Sequence, residues 1–255
     1  MEQVLSLINS YLGLLFILLC LGLILSFIFS DRTREKLNLR SIQAFSHFRR
    51  EVDLAVEAGK RLHISLGRGN INDLQGGAAF IGLTILDRCA RAASNSDRPP
   101  VTTSGDGVVT ILSQDTLQST YRSLATEQRY DPTNARLTGL TPLAYAAGAM
   151  PAIHDEHVSA NILAGHFGTE VALLTEAGER SRSLTVAGSD SIPAQAVLYA
   201  TTDEALLGEE LYAAGAYLGA GTAHTASLRM QDILRWVLVV AIVIGAILKL
   251  LGILS

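Results

Sequence analysis

The residues with the clearest potential for chemistry lie in the stretch 152–168. Three of the six histidines and two carboxylates fall within it: His154, Asp155, Glu156, His157 and His166. Imidazole and carboxylate groups are common zinc ligands, and two histidines three positions apart would meet on one face of a helix. The first question is therefore whether this stretch holds a metal ion.

The element that carries these histidines argues against a shared metal ion. From His157 onward, apolar residues at alternate positions predict a strand. In an extended chain His154 and His157 point to opposite faces, and His166 lies about 30 Å further along. A shared metal would need a turn that folds the chain back, or a ligand from elsewhere. We predict no metal site and expect His166, at the end of the strand, to be the histidine nearest a ligand.

Short strand-like runs alternate with helical runs through the middle of the chain. Strands are predicted at 62–66, 100–104, 157–165, 170–178 and 183–190, and helices at 74–93, 108–124, 143–150 and 194–219. This order predicts an α/β fold with a mostly parallel sheet and helices on both faces. The alternative is a mixed sheet with antiparallel late strands, because 165–185 offers room for turns but not for crossover helices.

Glycine-rich loops follow four of the predicted strands, at the ends where ligands usually bind in parallel sheets. Glycine permits close backbone approach, and helix N-termini after such loops attract anions. The candidate binding residues for a nucleotide or another anion are Arg68, Gly69, Ser104, Gly105, Asp106, Gly107, His166, Ser189 and Asp190. The alternative is that these loops are ordinary turns in which Asp106 and Ser191 suit helix capping.

Catalytic motifs are absent from the sequence. It contains no GxGxxG, GxxxxGK[ST], GxSxG, HExxH or CxxC pattern. No nucleophile, base and orienting group can be assembled from the spacing, so an enzyme is the lesser hypothesis, and no cofactor is identified. The net charge of −4 does not indicate a nucleic-acid partner.

Two apolar runs near the chain ends predict membrane helices. The runs 11–29 and 236–254 are each about nineteen residues long, and the second contains a single charge, Lys249, which we expect to reach the outer interface. A cleaved signal peptide would need a basic segment before the first run and a small-residue cleavage site after it, and neither is present. We therefore predict a lipid bilayer partner and two retained spans.

Basic residues flank these runs on their inner sides. They are Arg32, Arg34, Lys36, Arg40, Arg49, Arg50, Arg229 and Arg235. The positive-inside rule then puts residues 30–234 in the cytoplasm of a bacterial inner-membrane protein, with both termini outside. Cys20 and Cys89 fall in different predicted helices, so they cannot pair, as expected in a reducing compartment.

The sequence divides into four predicted parts. These are a transmembrane helix at 1–30, an amphipathic juxtamembrane helix at 31–60, a cytoplasmic α/β domain at 61–230 and a transmembrane helix at 231–255. The apolar stripe of the second part could lie on lipid headgroups, or it could cover the domain core or a neighbouring subunit.

Runs of small residues at 144–149 and 213–221 would let backbones approach closely, either inside one domain or between subunits. Two anchors would also hold copies in one plane and so favour association. We therefore predict a structural or interaction module that self-assembles into a homo-oligomer. The alternative is a membrane-tethered module that binds a nucleotide or another small anion at the glycine-rich loops.

Several runs, among them YDPTNARLTGLTPLAYAAG, VSANILAGHFGTEVALL and GEELYAAGAYLGAG, resemble those of an uncharacterised family of bacterial membrane-anchored proteins. The similarity spans roughly residues 50–250. It implies membrane attachment and a shared globular domain, and it supplies no activity or site.

Overall fold

The computed structural model describes residues 2–31, 40–73 and 76–251. The chain forms two compact units, one from its two ends, 1–39 and 219–255, and one from 40–218. Some predicted features lie outside the described residues: the helix start at Leu74, the helix end at Leu254, and the flanking residues Arg32, Arg34 and Lys36.

A six-stranded sheet, in which all neighbouring strands are parallel, forms the centre of the unit 40–218. Its strands are β1 (Arg61–Gly67), β2 (Val101–Ser104), β3 (Ala135–Leu137), β4 (Val158–His166), β5 (Leu184–Ser189) and β6 (Glu204–Leu206), in the order β3-β2-β1-β4-β5-β6. The predicted α/β class with a parallel sheet is confirmed, and the antiparallel alternative is wrong.

Helices connect the strands and also form both ends of the chain. They are α1 (Glu2–Asp31), α2 (Gln43–Glu57), α3 (Gly76–Ala92), α4 (Gly107–Ser123), α5 (Pro142–His154), α6 (Val171–Arg180), α7 (Ile192–Thr201), α8 (Glu210–Tyr217) and α9 (Thr222–Leu250). Short 3₁₀ turns cover 93–95, 127–129 and 132–134.

Residues 170–178 were predicted as a strand, but Val171–Arg180 forms helix α6. Val171, Leu174 and Ala177 recur at three-residue spacing and are buried on one side of that helix. Ten residues span about 15 Å as a helix, enough to return along the sheet from β4 to β5. The prediction that 165–185 lacks room for a crossover helix was therefore wrong.

Two shorter elements were also missed. The predicted helix 194–219 is broken into α7, β6 and α8, with β6 pairing to β5. Strand β3 is only three residues long and pairs with β2. Strands this short carry too few residues for a periodic pattern to stand out.

The two faces of the sheet differ in chemistry. On one face Leu62, Ile64 and Leu66 of β1 join the main apolar core. On the other face His63 is fully buried, donates from Nδ1 to Asn161 Oδ1 at 2.7 Å and accepts at Nε2 from the Thr103 hydroxyl at 2.9 Å. One buried imidazole therefore links β1, β2 and β4, and burial lowers its pKa to about 4.

Helix α2 lies within the predicted amphipathic segment and shows what its apolar stripe packs against. Its apolar stripe, Ala44, Phe45, Phe48, Val52 and Ala55, is buried in the main core, so the stripe covers this domain's own core. Phe45 also stacks on Tyr217 with ring centroids 4.7 Å apart.

The two ends of the unit 40–218 lie side by side. The Tyr217 hydroxyl donates to the carbonyl of Arg40 at 2.6 Å, and the Arg40 guanidinium pairs with Glu210 at 2.7 Å. The chain therefore enters and leaves this unit at one place.

The other unit contains the helices α1 and α9, which pack against each other. Near the end of α1 and the start of α9, the Arg229 guanidinium lies 5.9 Å from the centre of the Phe27 ring. Both helices are long and apolar enough to cross a membrane, over Tyr11–Phe29 and Thr222–Leu250, and their apolar side chains are exposed. These features suggest membrane association.

His63 makes folding sensitive to acid. Because its pKa falls from 6.5 to about 4 on burial, its neutral form stabilises the fold above pH 6.5, and this contribution is lost as the pH falls towards 4. We expect the loss to reach about 2 kcal/mol of unfolding free energy by about pH 5. Hydrogen exchange of the β1 amides in the full chain measures it.

The His63→Gln variant should be less stable at neutral pH but should lose less stability between pH 6.5 and 5. His154→Gln, at an exposed position, should behave like the natural chain. Equal acid sensitivity in the natural chain and the His63 variant would contradict this assignment.

Candidate functional site

The strand order places a topological switch between β1 and β4, where successive connections leave in opposite directions. In open parallel sheets, ligands bind beyond the carboxyl ends of the strands at such a point. The predicted glycine-rich loops do lie at this edge, after β1, β2, β4 and β5.

The loops after β1 and β2 pack directly against each other. Gly105 donates its N–H to the carbonyl of Gly67 at 2.9 Å, and a side chain at Gly105 would overlap the Cγ of Arg68. Gly67 has φ +71°, which favours glycine, and Gly69 is buried. Arg68 is thereby directed across the edge towards the loop after β4.

Arg68 meets a carboxylate that sequence reasoning missed. Its Nε donates to Glu170 at 3.0 Å, and the Glu170 side chain is only 4% exposed. Burial alone raises the pKa of Glu170, but hydrogen bonds from its own N–H and that of Gly168, together with Arg68, outweigh burial and lower the pKa. Glu170 was missed because residues 170–178 were predicted as a strand; it precedes α6, and its side chain makes no capping bond to that helix.

On the other side of the switch point, His166 Nδ1 lies 2.7 Å from Asp190 Oδ1. Their side chains are 20% and 15% exposed. Ser189 is fully buried and accepts from the N–H groups of Phe167 and Ser191 at 3.2 and 3.3 Å. Ser189 thus holds two loops together, whereas His166 and Asp190 form a pair that solvent can reach.

The crevice between β1 and β4 is narrow because the two backbones touch. A side chain at Gly165 would overlap the carbonyl of Leu66, and one at Gly67 would overlap that of His166. Arg68 N–H continues the strand pairing by donating to the His166 carbonyl at 2.8 Å. Protein groups therefore occupy the place where a nucleotide lies in other folds with this strand order.

Helix α4, which starts at this edge, already carries its own cap. Asp106 accepts from the N–H groups of Val108 and Val109 at 2.9 and 3.0 Å at the start of α4, which begins at Gly107. Asp106 itself is held by Ser104, whose hydroxyl accepts its N–H at 3.1 Å. The capping alternative is thus what the structure shows for Asp106, while Ser191 makes no side-chain cap bond.

The His154 and His157 cluster lies at the opposite edge of the sheet from His166. His154 ends helix α5 and His157 follows in a turn with φ +54°, so the prediction that both lie in an extended chain was wrong. Glu156 receives hydrogen bonds from Arg61 and Arg136 at 2.6 and 2.5 Å. Burial tends to raise the pKa of Glu156, but these two arginines outweigh it and lower the pKa.

No group of three or more His, Cys, Asp or Glu side chains stands ready to hold a metal ion in the part of the chain that the structure describes. Sequence reasoning missed cavities at the amino ends of the strands. One of about 900 Å³ lies among the ends of α2, α6 and α7 and the starts of β4 and β5. A second, of about 440 Å³, lies around His154, His157 and Lys60.

Comparison with curated proteins finds no match. Comparison with solved structures finds none either. A family model described as a domain of unknown function, DUF6754, matches residues 3–255. The expected resemblance to a family of unknown function is therefore confirmed, while a bacterial source and membrane anchoring stay predictions. Because the match spans nearly the whole sequence, the chain belongs to the DUF6754 family.

Proposed function

We propose that this chain is a two-pass membrane protein whose unit 40–218 is an interaction module that binds further copies of itself. The observation that carries the proposal is a patch of exposed apolar side chains at the carboxyl edge of the sheet. We call it the apolar rim: Val108, Ile111, Leu137, Leu140 and Leu143. Leu140 and Leu143 are 70% and 69% exposed, and Ile111 is 66% exposed.

The loops that carry the apolar rim lie against each other. The five residues come from the start of α4, the end of β3 and the segment that leads into α5. A side chain at Gly105, just before α4, would approach the carbonyl of Gly139 to 3.1 Å. Single exposed apolar residues are normal, whereas contiguous patches of this kind mark contact surfaces.

Two anchors favour a second copy as the partner. Helices in a bilayer confine copies to one plane and raise their effective concentration, so weak contacts suffice for association. Burial of a leucine side chain contributes about 1.5–3 kcal/mol. The small-residue runs do not carry the proposal, because Ala146, Ala149, Ala213 and Ala214 are buried inside the unit.

Replacing the centre of the apolar rim tests assembly. We expect the natural chain in lipid nanodiscs or mild detergent to have the mass of more than one copy. The double variant Leu140→Asp, Leu143→Asp should be monomeric, because charges at these positions cannot be buried against a partner. Light scattering coupled to gel filtration measures the mass.

The matched control is Tyr199→Asp, which adds a charge at a position that is 74% exposed on α7 and outside the apolar rim. It should keep the natural mass. A strictly monomeric natural chain, or a double variant with the natural mass, would refute assembly through the apolar rim.

For membrane placement, the proposal is a bacterial inner-membrane protein with unit 40–218 in the cytoplasm and both termini outside. It is supported by the basic residues on the inner flanks of the two apolar runs. The adjacent ends of unit 40–218, at Arg40 and Tyr217, agree with a domain inserted between two spans.

Cysteine labelling tests this topology. A Ser255→Cys variant in intact bacterial cells should react with a membrane-impermeant maleimide. An Asp97→Cys variant, at a side chain that is 99% exposed, should react only after the membrane is opened. Labelling of the first only after opening, or of the second in intact cells, would overturn the orientation.

Anion or nucleotide binding at the carboxyl edge is a second candidate function. The topological switch between β1 and β4 favours it, because Arg68 lies there and the Glu170 carboxylate takes the place at Arg68 that a bound anion would occupy. A ligand phosphate would have to displace the Glu170 carboxylate from Arg68, so we expect any such site in the natural chain to be weak.

A nucleotide thermal-shift experiment on the full chain tests this second function. Millimolar nucleotide should raise the melting temperature. Arg68→Gln should remove that shift, and Arg50→Gln, an equal charge change at an exposed site on α2, should keep it. Either the absence of a shift in the natural chain or a full shift in Arg68→Gln would eliminate the crevice as a nucleotide site.

A further inference from the structure

A cavity of about 440 Å³ lies at the amino ends of β1, β2 and β4. Its lining consists of Lys60, Arg98, His154, His157, Val158 and Ser181. Four of these six residues have basic side chains and none is acidic. We infer that this cavity, called here the basic pocket, binds a phosphate group.

The positive charge of the basic pocket is largely uncompensated. Within the described residues, the side chains of Lys60, Arg98 and His157 make no ion pair. His154 has one acidic neighbour, Asp155, at 3.2 Å, and that carboxylate is 73% exposed to water. The other carboxylate of the motif, Glu156, is already bound by Arg61 and Arg136. Arg98 is held only through its backbone N–H, which donates to the Ser96 hydroxyl at 3.2 Å.

A buried hydroxyl is an independent indication of a ligand. Ser181 lines the basic pocket, and its Oγ is buried with no hydrogen-bond partner in the described structure. Buried polar groups without a partner are rare because each costs free energy. A phosphate oxygen can accept the hydroxyl proton, as well as N–H groups from Lys60 and Arg98.

The geometry suits phosphate more than a planar anion. The donors come from separate segments, before β1, before β2 and before β4, so they reach the cavity from different directions. A tetrahedral phosphate offers oxygens to each of them, and charge-assisted bonds of this kind are the strong ones. A cavity of about 440 Å³ is also within the size range of small-molecule sites, which leaves room for a group esterified to the phosphate.

An opposing effect limits the affinity. Helices α5 and α6 end at this edge, and their C-terminal carbonyls carry partial negative charge. The charges of Lys60 and Arg98 exceed these partial charges, but both side chains are exposed and screened by solvent. The expected affinity is therefore millimolar for the free ion and tighter for a ligand that also fills the rest of the cavity.

The basic pocket is separate from the apolar rim and from Arg68, which lie at the other edge of the sheet. The inference does not rest on either candidate function proposed above. The shared ligand chemistry is a phosphate group, from a free ion, from a soluble phosphomonoester or from a lipid headgroup.

Titration of the full chain in phosphatidylcholine nanodiscs with inorganic phosphate tests the site, with line broadening of the phosphorus-31 signal as the readout. We expect saturable binding in the natural chain. Lys60→Gln and Arg98→Gln should each weaken it about tenfold, because each loses a charge-assisted hydrogen bond. Both positions are exposed, so the variants should keep the natural hydrogen-exchange pattern.

The matched control is Arg50→Gln, which removes the same charge at an exposed position outside the basic pocket and should keep the natural affinity. No saturation at tens of millimolar phosphate would overturn the inference. So would natural affinity in both pocket variants, or an equal loss in the Arg50 variant.

A second titration with short-chain phosphatidic acid distinguishes the sources. Binding at least tenfold tighter than inorganic phosphate, with competition between the two, assigns the pocket to a lipid headgroup. Equal or weaker binding assigns it to a free or soluble phosphate. Failure of Lys60→Gln and Arg98→Gln to affect either titration would overturn the site for both sources.

Discussion

The contact between β1 and β4 is the constraint on which the rest of unit 40–218 depends. Gly67 and Gly165 allow the two backbones to touch at their carboxyl ends. Nearer the amino ends of the strands, buried His63 of β1 bonds to Asn161 of β4 and Thr103 of β2, and so holds these three strands in one register. A slip of one residue would leave these polar groups buried without partners, which costs about 1–3 kcal/mol for each group. Both edges of the sheet are built outward from this fixed pair.

The two edges then differ because all the strands run in one direction and the helices that connect them run back in the opposite direction. Helix starts gather at the carboxyl edge, where Asp106 caps α4, and the Glu170 carboxylate accepts from the N–H of Gly168 and pairs with Arg68. Five apolar side chains remain exposed there, which is why that edge is proposed as a protein contact. The amino edge receives the helix ends, and it keeps basic side chains such as Lys60 and Arg98 without an ion pair in the described structure. The two proposals therefore concern separate surfaces of one scaffold.

Sequence patterns predicted some elements well and others poorly, for identifiable reasons. Strands β1, β4 and β5 are buried on both faces and carry regularly spaced apolar residues, and they were predicted to within a few residues. Helix α6 was missed because EVALLTEAG contains alternating as well as helical apolar spacing, and only packing against β4 and β5 decides between them. The candidate residues lie at one edge, and their binding of a ligand stays a prediction; Glu170 was not foreseen. The basic pocket could not be foreseen because its residues come from four distant segments.

Local sequence patterns are enough to predict the α/β class, the two apolar helices and the position of the glycine-rich loops after strands. These follow from local composition and periodicity, which act over a few residues. Three other outcomes appear only once the chain is folded. Arg68 pairs with Glu170, and the apolar stripe of α2 lies in the core. His154 and His157 line one cavity with Lys60 and Arg98. Each of these outcomes depends on strand order, because the order of parallel strands brings residues that are distant in sequence to one edge. No local pattern encodes that order.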